Sequence, residues 1–336
     1  MFHKRFRKVI SLTLFLVMVS VLISTSIGFG KANKIVLRYA EVNPESDPIT
    51  MAARKFAEIV KKDSNGRIEI RVFPGGQLGD QKNQVQACQM GAVDIVRIQP
   101  VYLADVGVRE LNVYSLPYLF RDADHAWKVL TGPVGQKLLD DIESANVHMV
   151  GIGYYATSPR HFFFRNKKVT KLSDLKGLKL RVQTGKMYMD LVEAFGASPT
   201  PISFSELYSA LQTGVVDGAD NPIKGYYSGK YYEVCKYLTL DNHQIDPSVV
   251  VVSEMVWNKL NSRDQKIIEK ALRESGNYFM ELSQQKEAEY LKDLQKNGVI
   301  ISNVENPKEW QDAVRPLYKK YGAGQEKLIE EIQKVK

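Results

Sequence analysis

The sequence predicts an α/β protein of two lobes. Three observations carry this: strand-like and helix-like segments alternate in two separate regions, a wholly apolar strand (VVVVS, 249–253) returns late in the chain, and a long helical stretch follows it. Roughly 300 residues are more than one small core organises, and alternating strands and helices argue parallel pairing, with ligand sites at the carboxyl ends of the strands. Lobes joined by strands make a hinge, and the cleft between them is the default place for a ligand.

Residues 1–32 stand apart from this pattern. MFHKRFRK carries four Lys or Arg and no acid, and an uncharged apolar run follows, ending in small residues (Gly28, Gly30, Ala32). This is the layout of a secretory signal peptide. At about 20 residues the run is also long enough for an uncleaved anchor. Either way the chain is expected outside the cytoplasm.

From there IVLRYA (35–40) reads as a strand, and a helix presents Ala52, Phe56, Ile59 and Val60 on one face before Asn65-Gly66 stops it. IEIRVF alternates as a second strand, GGQLGD (75–80) turns, Gln81 to Met90 is helical, and VDIVRI is a third strand. The middle repeats this grammar. Leu178 to Val182 alternates with Lys179 and Arg181 as a half-buried strand with one wet face. Lys186 to Phe195 is a helix ended by Gly196, and Ser203-Phe-Ser-Glu206 reads as a capping box opening a helix that ends at Gly214. VVDGADNP is a short strand running into a turn. Ser262-x-x-Gln265 caps the long helix to about Asn297-Gly298, and two helical segments, KEWQDAVRPLYKKYG and QEKLIEEIQKV, close the chain.

Composition excludes several functions. Of the formal charge of +8, residues 1–32 hold five Lys or Arg and no acid, which leaves +3 on the rest. That is no nucleic-acid footprint, and no basic block follows residue 32. Cys88 and Cys235 are expected as two buried free thiols, since two cysteines make no disulfide scaffold. The five His are scattered without metal-ligand spacing, and neither a Gly-x-Ser-x-Gly elbow nor a phosphate loop occurs, so neither metal nor cofactor is expected.

Six ordered blocks carry a resemblance: FPGGQLGD, GAVDIVRI, LPYLF, DLKGLKLRV, GASPTPISFSELYSALQTGVVDG and YEVCKYLTLDNH. In this order the chain resembles the solute-binding proteins of tripartite ATP-independent periplasmic (TRAP) transporters, of the DctP type, over essentially everything after residue 32. The resemblance implies a two-lobed periplasmic-binding-protein clamshell (type II-like) with a long C-terminal helix spanning the lobes. Residues 33–158 with 247–286 are expected as the first lobe, and 159–246 with 287–336 as the second. It further implies a protein that closes on an organic acid and hands it to membrane permease subunits, and a monomer is expected because a clamshell that must dock each cycle gains little from burying its lobes elsewhere.

The same resemblance assigns site residues. In the family an arginine on the strand after the DLKG turn binds the substrate carboxylate, and Arg181 stands there; its guanidinium matches a carboxylate in a two-pronged geometry and keeps its charge. On the alternation alone, Arg181 would only solvate a strand face. Arg160, in SPRHFFF, matches a second family arginine. Asn221 matches the Asn of the family's DG-x-E-N turn, where Asp220 replaces the usual Glu and shortens any buttress to an arginine. Phe204 matches an aromatic lining the site. Glu41, Arg97 and Gln99 end strands that would face the cleft from the first lobe. Gln183 and His243 are further polar partners for hydroxyls, His243 also reading as a satisfied loop histidine.

RVQTGKMYMD and the stretch YYEVCKYLTLDNHQIDPSVVVVS resemble the sugar-acid binders of the family, uronates above all. A C4-dicarboxylate is the alternative, and it would need a second cationic end, for which Arg97 could serve. An exported sugar-acid enzyme would need paired carboxylates or a metal, neither of which the sequence displays. A sensory module presenting the same cleft to a receptor stays open.

Overall fold

The computed structural model describes residues 34–336; the apolar N-terminal segment, read above as a signal peptide or anchor, lies outside them. The first region builds β1 (Ile35–Ala40), α1 (Pro48–Asp63), β2 (Ile68–Phe73), α2 (Gln81–Gln89), β3 (Ile95–Ile98) and α3 (Pro100–Asp105). After a 3-10 stretch at 109–115 come α4 (Ala123–Thr131), α5 (Pro133–Ser144) and β4 (Met149–Tyr155). The middle holds β5 (Arg160–Phe164), β6 (Lys179–Val182), α6 (Lys186–Ala194), β7 (Ser198–Pro201), α7 (Leu207–Thr213), β8 (Gly218–Pro222), α8 (Ile223–Ser228) and β9 (Tyr237–Gln244). The remainder is β10 (Ser248–Ser253), α9 (Glu254–Trp257), α10 (Ser262–Lys296), β11 (Ile300–Asn303), α11 (Pro307–Ala313), α12 (Arg315–Tyr321) and α13 (Glu326–Lys334).

These strands form two sheets, ordered β2-β1-β3-β10-β4 and β11-β9-β5-β8-β6-β7. In the first, β1 and β3 are parallel while β10 runs antiparallel to both β3 and β4. In the second, β6 and β8 are parallel while β5 runs antiparallel to β8 and β9. The chain passes from one sheet to the other between β4 and β5 and returns between β9 and β10, so two short segments join them. Thr157 Oγ1 donates to Asp246 O at 3.1 Å and ties those two segments together. The 35-residue α10 packs on α1 and β4 at one end and on α8 farther along, so it bridges the two sheets.

Burial explains why some strands escape a period-2 reading. All five residues of β5 are buried, because this strand lies inside its sheet and is covered on both faces. Phe162 packs with Phe195, Trp310 and His243 on one side, whereas Phe163 packs with Tyr226 and Tyr231 on the other. β10 is buried throughout, as its run of valines predicts. In β6 only Lys179 is exposed; the face expected to be wet carries Arg181, which is buried.

Three local expectations change. Asn261, not Ser262, caps α10: its Oδ1 accepts from Asp264 N at 3.0 Å, and Ser262 is already helical. The segment after Ser203 begins as a 3-10 turn at 204–206, and the Ser203 hydroxyl donates to Glu206 Oε2 instead of capping a backbone amide. Finally, the division above places 287–336 wholly with the second sheet, but α13 lies against α5 on the first. Arg121 Nη1 donates to Gln333 O at 3.0 Å, and the His125 ring bonds Ile332 O at 3.0 Å. Cys88 and Cys235 are buried and free.

Candidate functional site

Strand direction gathers the site. Because β6 and β8 are parallel and β5 opposes them, the carboxyl ends of β6 and β8 and the amino end of β5 share one edge of the second sheet. That edge carries Arg160 as the first residue of β5, Arg181 and Gln183 at the end of β6, and Asp220 and Asn221 at the end of β8. The first sheet has a matching edge, where Glu41 follows the end of β1, Arg97 is the penultimate residue of β3 and antiparallel β10 begins at Ser248. The two edges face each other in contact: Ser228 Oγ donates to Asp47 Oδ2 at 2.7 Å, and the Tyr102 and Thr184 hydroxyls lie 3.3 Å apart.

The three arginines differ in what holds them. Arg97 and Glu41, both buried, pair with each other through two hydrogen bonds, one from Nε to Oε2 at 2.6 Å and one from Nη2, which Asn43 Oδ1 shares, while Ser248 Oγ accepts from Nη1. Burial opposes the charge of Arg97, yet Glu41 beside it raises its pKa. Arg160 donates Nε to Asp220 Oδ2 at 2.5 Å and Nη2 to Asp220 O at 2.9 Å, so the shorter acid does reach it. Burial works against Asp220 too, but Arg160 and His243 hold its carboxyl well below the usual range.

Arg181 has no such acid. It is 1% exposed, and its one hydrogen bond among the described residues runs from Nε to Ile202 O at 2.8 Å. Phe204 lies over it, with the guanidinium carbon 5.9 Å from the ring centroid. Burial lowers its pKa, with Tyr231 and Asp220 offsetting part of the effect. A guanidinium remains charged under such a shift. Neither Nη group hydrogen-bonds a described residue, so a cation almost wholly withdrawn from water is left to be met by an anion.

The other named residues divide. Asn221 and Gln183 are buried at the same sheet edge, and their side-chain amides make no hydrogen bond among the described residues. His243 is fully buried behind this edge. It sits between Asp241 (Nδ1 to Oδ2, 2.6 Å) and Asp220 (Nε2 to Oδ2, 3.3 Å) and stacks on Phe162. Burial disfavours its proton, but the two aspartates prevail and push its pKa up to about 9. His243 thus braces Asp220 from behind. Glu41 and Arg97 satisfy each other, and Gln99 takes the Gln81 amide oxygen on its backbone N–H at 3.0 Å.

Two groups escape the sequence reading. Asp246, in the returning hinge segment, accepts from Ser115 Oγ at 3.0 Å and Tyr188 Oη at 2.5 Å, and burial raises its pKa to about 6. Lys224, on α8, is buried with no hydrogen-bond partner. It is the only charge in NPIKGYYS, directly after Asn221, and that isolation was its available signal. Among the described residues no group of three or more His, Cys, Asp or Glu is placed to hold a metal ion.

The two-sheet fold and the sequence that builds it are shared with known proteins. Residues 39–325 match bacterial extracellular solute-binding protein family 7. The chain belongs to that family. It is a TRAP solute-binding protein, a transporter component and not an enzyme. A TRAP solute-binding protein from Pseudomonas putida F1, solved with D-glucuronate, is 33% identical, with 90% of this chain and 98% of that one covered at a TM-score of 0.86. Another from a Bradyrhizobium species, solved with galacturonate, is also 33% identical, with 88% and 99% covered at a TM-score of 0.84. The C4-dicarboxylate-binding periplasmic protein of Rhodobacter capsulatus is 30% identical over 290 residues, 85% of this chain and 86% of that one. Solute-binding proteins of this family bind small organic acids, work with TRAP permease subunits and act outside the cytoplasm.

Proposed function

We propose that this protein captures a six-carbon sugar acid of the uronate type and delivers it to a TRAP permease. The observation that carries the reading is Arg181, whose buried guanidinium presents two unpartnered Nη groups at the cleft edge. The ligand carboxylate pairs with that fork and draws further hydrogen bonds from Arg160 Nη1 and the Asn221 amide. Phe204 covers the sugar ring, and Gln183 takes a hydroxyl. The polar end of the first sheet, with Asn43 and Gln99, supplies partners across the cleft.

Residues 33–158 with 247–286 move as one lobe, and 159–246 with the chain from 287 to α12 as the other, with α13 remaining on the first. Ligand favours the closed arrangement because only there are both edges within reach. Residues 1–32 are the export signal, and the protein acts as a monomer, which leaves both lobes open to the permease.

Arg97, the cation expected to meet a C4-dicarboxylate's second end, is occupied by Glu41. A calorimetric titration series with D-glucuronate, D-galacturonate, succinate and malate separates the readings. Uronate binding that disappears in Arg181→Ala supports the proposal; binding of the C4-diacids alone overturns the uronate assignment, and uronate binding unaffected by Arg181→Ala overturns the role of the arginine.

A further inference from the structure

Lys224 is the one lysine that is buried among the described residues, at 7% exposure. Its Nζ has three protons to donate and no acceptor. What it touches is the face of Phe279 on α10, 3.9 Å from the ring centroid. Burial dominates its surroundings: Asp47 and Glu287 favour its charge, Arg97 opposes it, and its pKa is lowered to about 8. Neither acid is in ion-pair contact with it. The Asp47 carboxylate is already engaged by Ile49 N, Asn43 Nδ2 and Ser228 Oγ.

Position turns this unmet cation into a candidate ligand group. Lys224 belongs to the first turn of α8, three residues after Asn221, and the Asn221 amide folds over that same turn: a Cβ on Gly225 would lie 2.8 Å from Asn221 Oδ1. Ser228, at the end of the same helix, donates to Asp47 Oδ2 at 2.7 Å, so α8 lies against the end of the first sheet, and Asp47 and Arg97 there act on the ammonium together with Glu287 on α10. Arg97 cannot take an anion there, because Glu41 grips it at two points.

We infer that Lys224 is a second cationic contact for the bound molecule, so that the site prefers a sugar acid with negative charge at both ends, a six-carbon aldarate, over the uronate of the same configuration. The inference rests on the reading of Arg181 above: that residue takes one carboxylate, and Lys224 takes the other. An uncharged hydroxyl at the far end would leave the ammonium less well compensated, and that difference is the source of selectivity.

The test is calorimetric affinity of the purified protein for galactarate, D-glucarate, D-galacturonate and D-glucuronate, with Lys224→Met and Arg181→Ala alongside. The expected result is an aldarate preference of about tenfold or more in the parent protein, collapsing to within about twofold in Lys224→Met through loss of aldarate affinity. A parent protein that prefers uronates, or a Lys224→Met change that weakens both ligand classes equally, overturns the inference and leaves Lys224 a packing residue on Phe279. The Arg181→Ala arm separates the two claims: if that variant still binds both classes, the carboxylate reading fails independently of Lys224.

Discussion

Arg181 shows how one residue's meaning depends on what covers it. On the alternation of β6 it stands on a polar strand face; in the folded chain that face is closed over, and the arginine is left without an acid. Removing a buried charged group's hydrogen bonds to a ligand costs on the order of 3 kcal/mol, so Arg181→Ala should weaken sugar-acid binding roughly 100-fold, which calorimetry would measure. Arg181→Lys should recover little of this, since a point charge does not reproduce the fork. His243 makes a pH-dependent contribution of opposite sign to that of Lys224. Its folded-state pKa of about 9 lies above its ordinary value of 6.5, so its stabilisation is complete below pH 6.5 and is lost as pH rises through 9. For Lys224, lowered from 10.5 to about 8, stability instead rises across that interval. Between pH 6.5 and 8 only His243 of the two acts: the urea midpoint should fall there in the parent protein and stay flatter in His243→Gln. Equal slopes in both would show that His243 is not bound as a cation between Asp241 and Asp220.

Helix α10 illustrates competition within a single element. Gly276 sits inside it, where glycine weakens a helix by about 1 kcal/mol relative to alanine. Its role is steric: a Cβ there would lie 2.3 Å from the Trp127 ring, which packs across the helix and donates Nε1 to Asn277 at 3.1 Å. Overpacking costs about 1–3 kcal/mol. Gly276→Ala should therefore destabilise the protein despite its better helix propensity, with a shift in Trp fluorescence reporting the displaced indole; a gain in melting temperature would mean that Trp127 moves aside freely. Strand β5 was not legible as an element because RHFFF has no alternation. Its two covered faces both require apolar groups, and this erases the period-2 signal that marked β2. The cap of α10 was misread by one residue for a different reason. Asn and Ser both suit an N-cap, and only backbone geometry distinguishes Asn261 from Ser262.

Closure of the whole molecule depends on a few polar contacts between the two sheets. Ser228 to Asp47 is the shorter of the two pairs across the cleft, and a hydrogen bond to a charged group contributes about 1.5–3 kcal/mol. Ser228→Ala should shift the population toward the open form and raise the ligand Kd several-fold with little change in melting temperature without ligand. Small-angle scattering with and without ligand would register the difference as a larger radius of gyration at equal ligand concentration. An unchanged Kd would place the closing energy in the ligand contacts alone.

Ordered blocks, strand and helix alternation and the late apolar strand made the two-lobed α/β class and the family legible before any coordinates, because patterning and local motifs are properties of neighbours in the chain. The partners of the charged residues were not legible. That Glu41 occupies Arg97, that Asp220 reaches Arg160 despite its shorter side chain, and that Lys224 is left with only Phe279 are outcomes of pairings 55 or more residues apart, made by strand order and by the meeting of two sheet edges. Whether a buried cation is free to bind a ligand is decided by which acid lies within about 3 Å of it, and that distance exists only in the folded molecule.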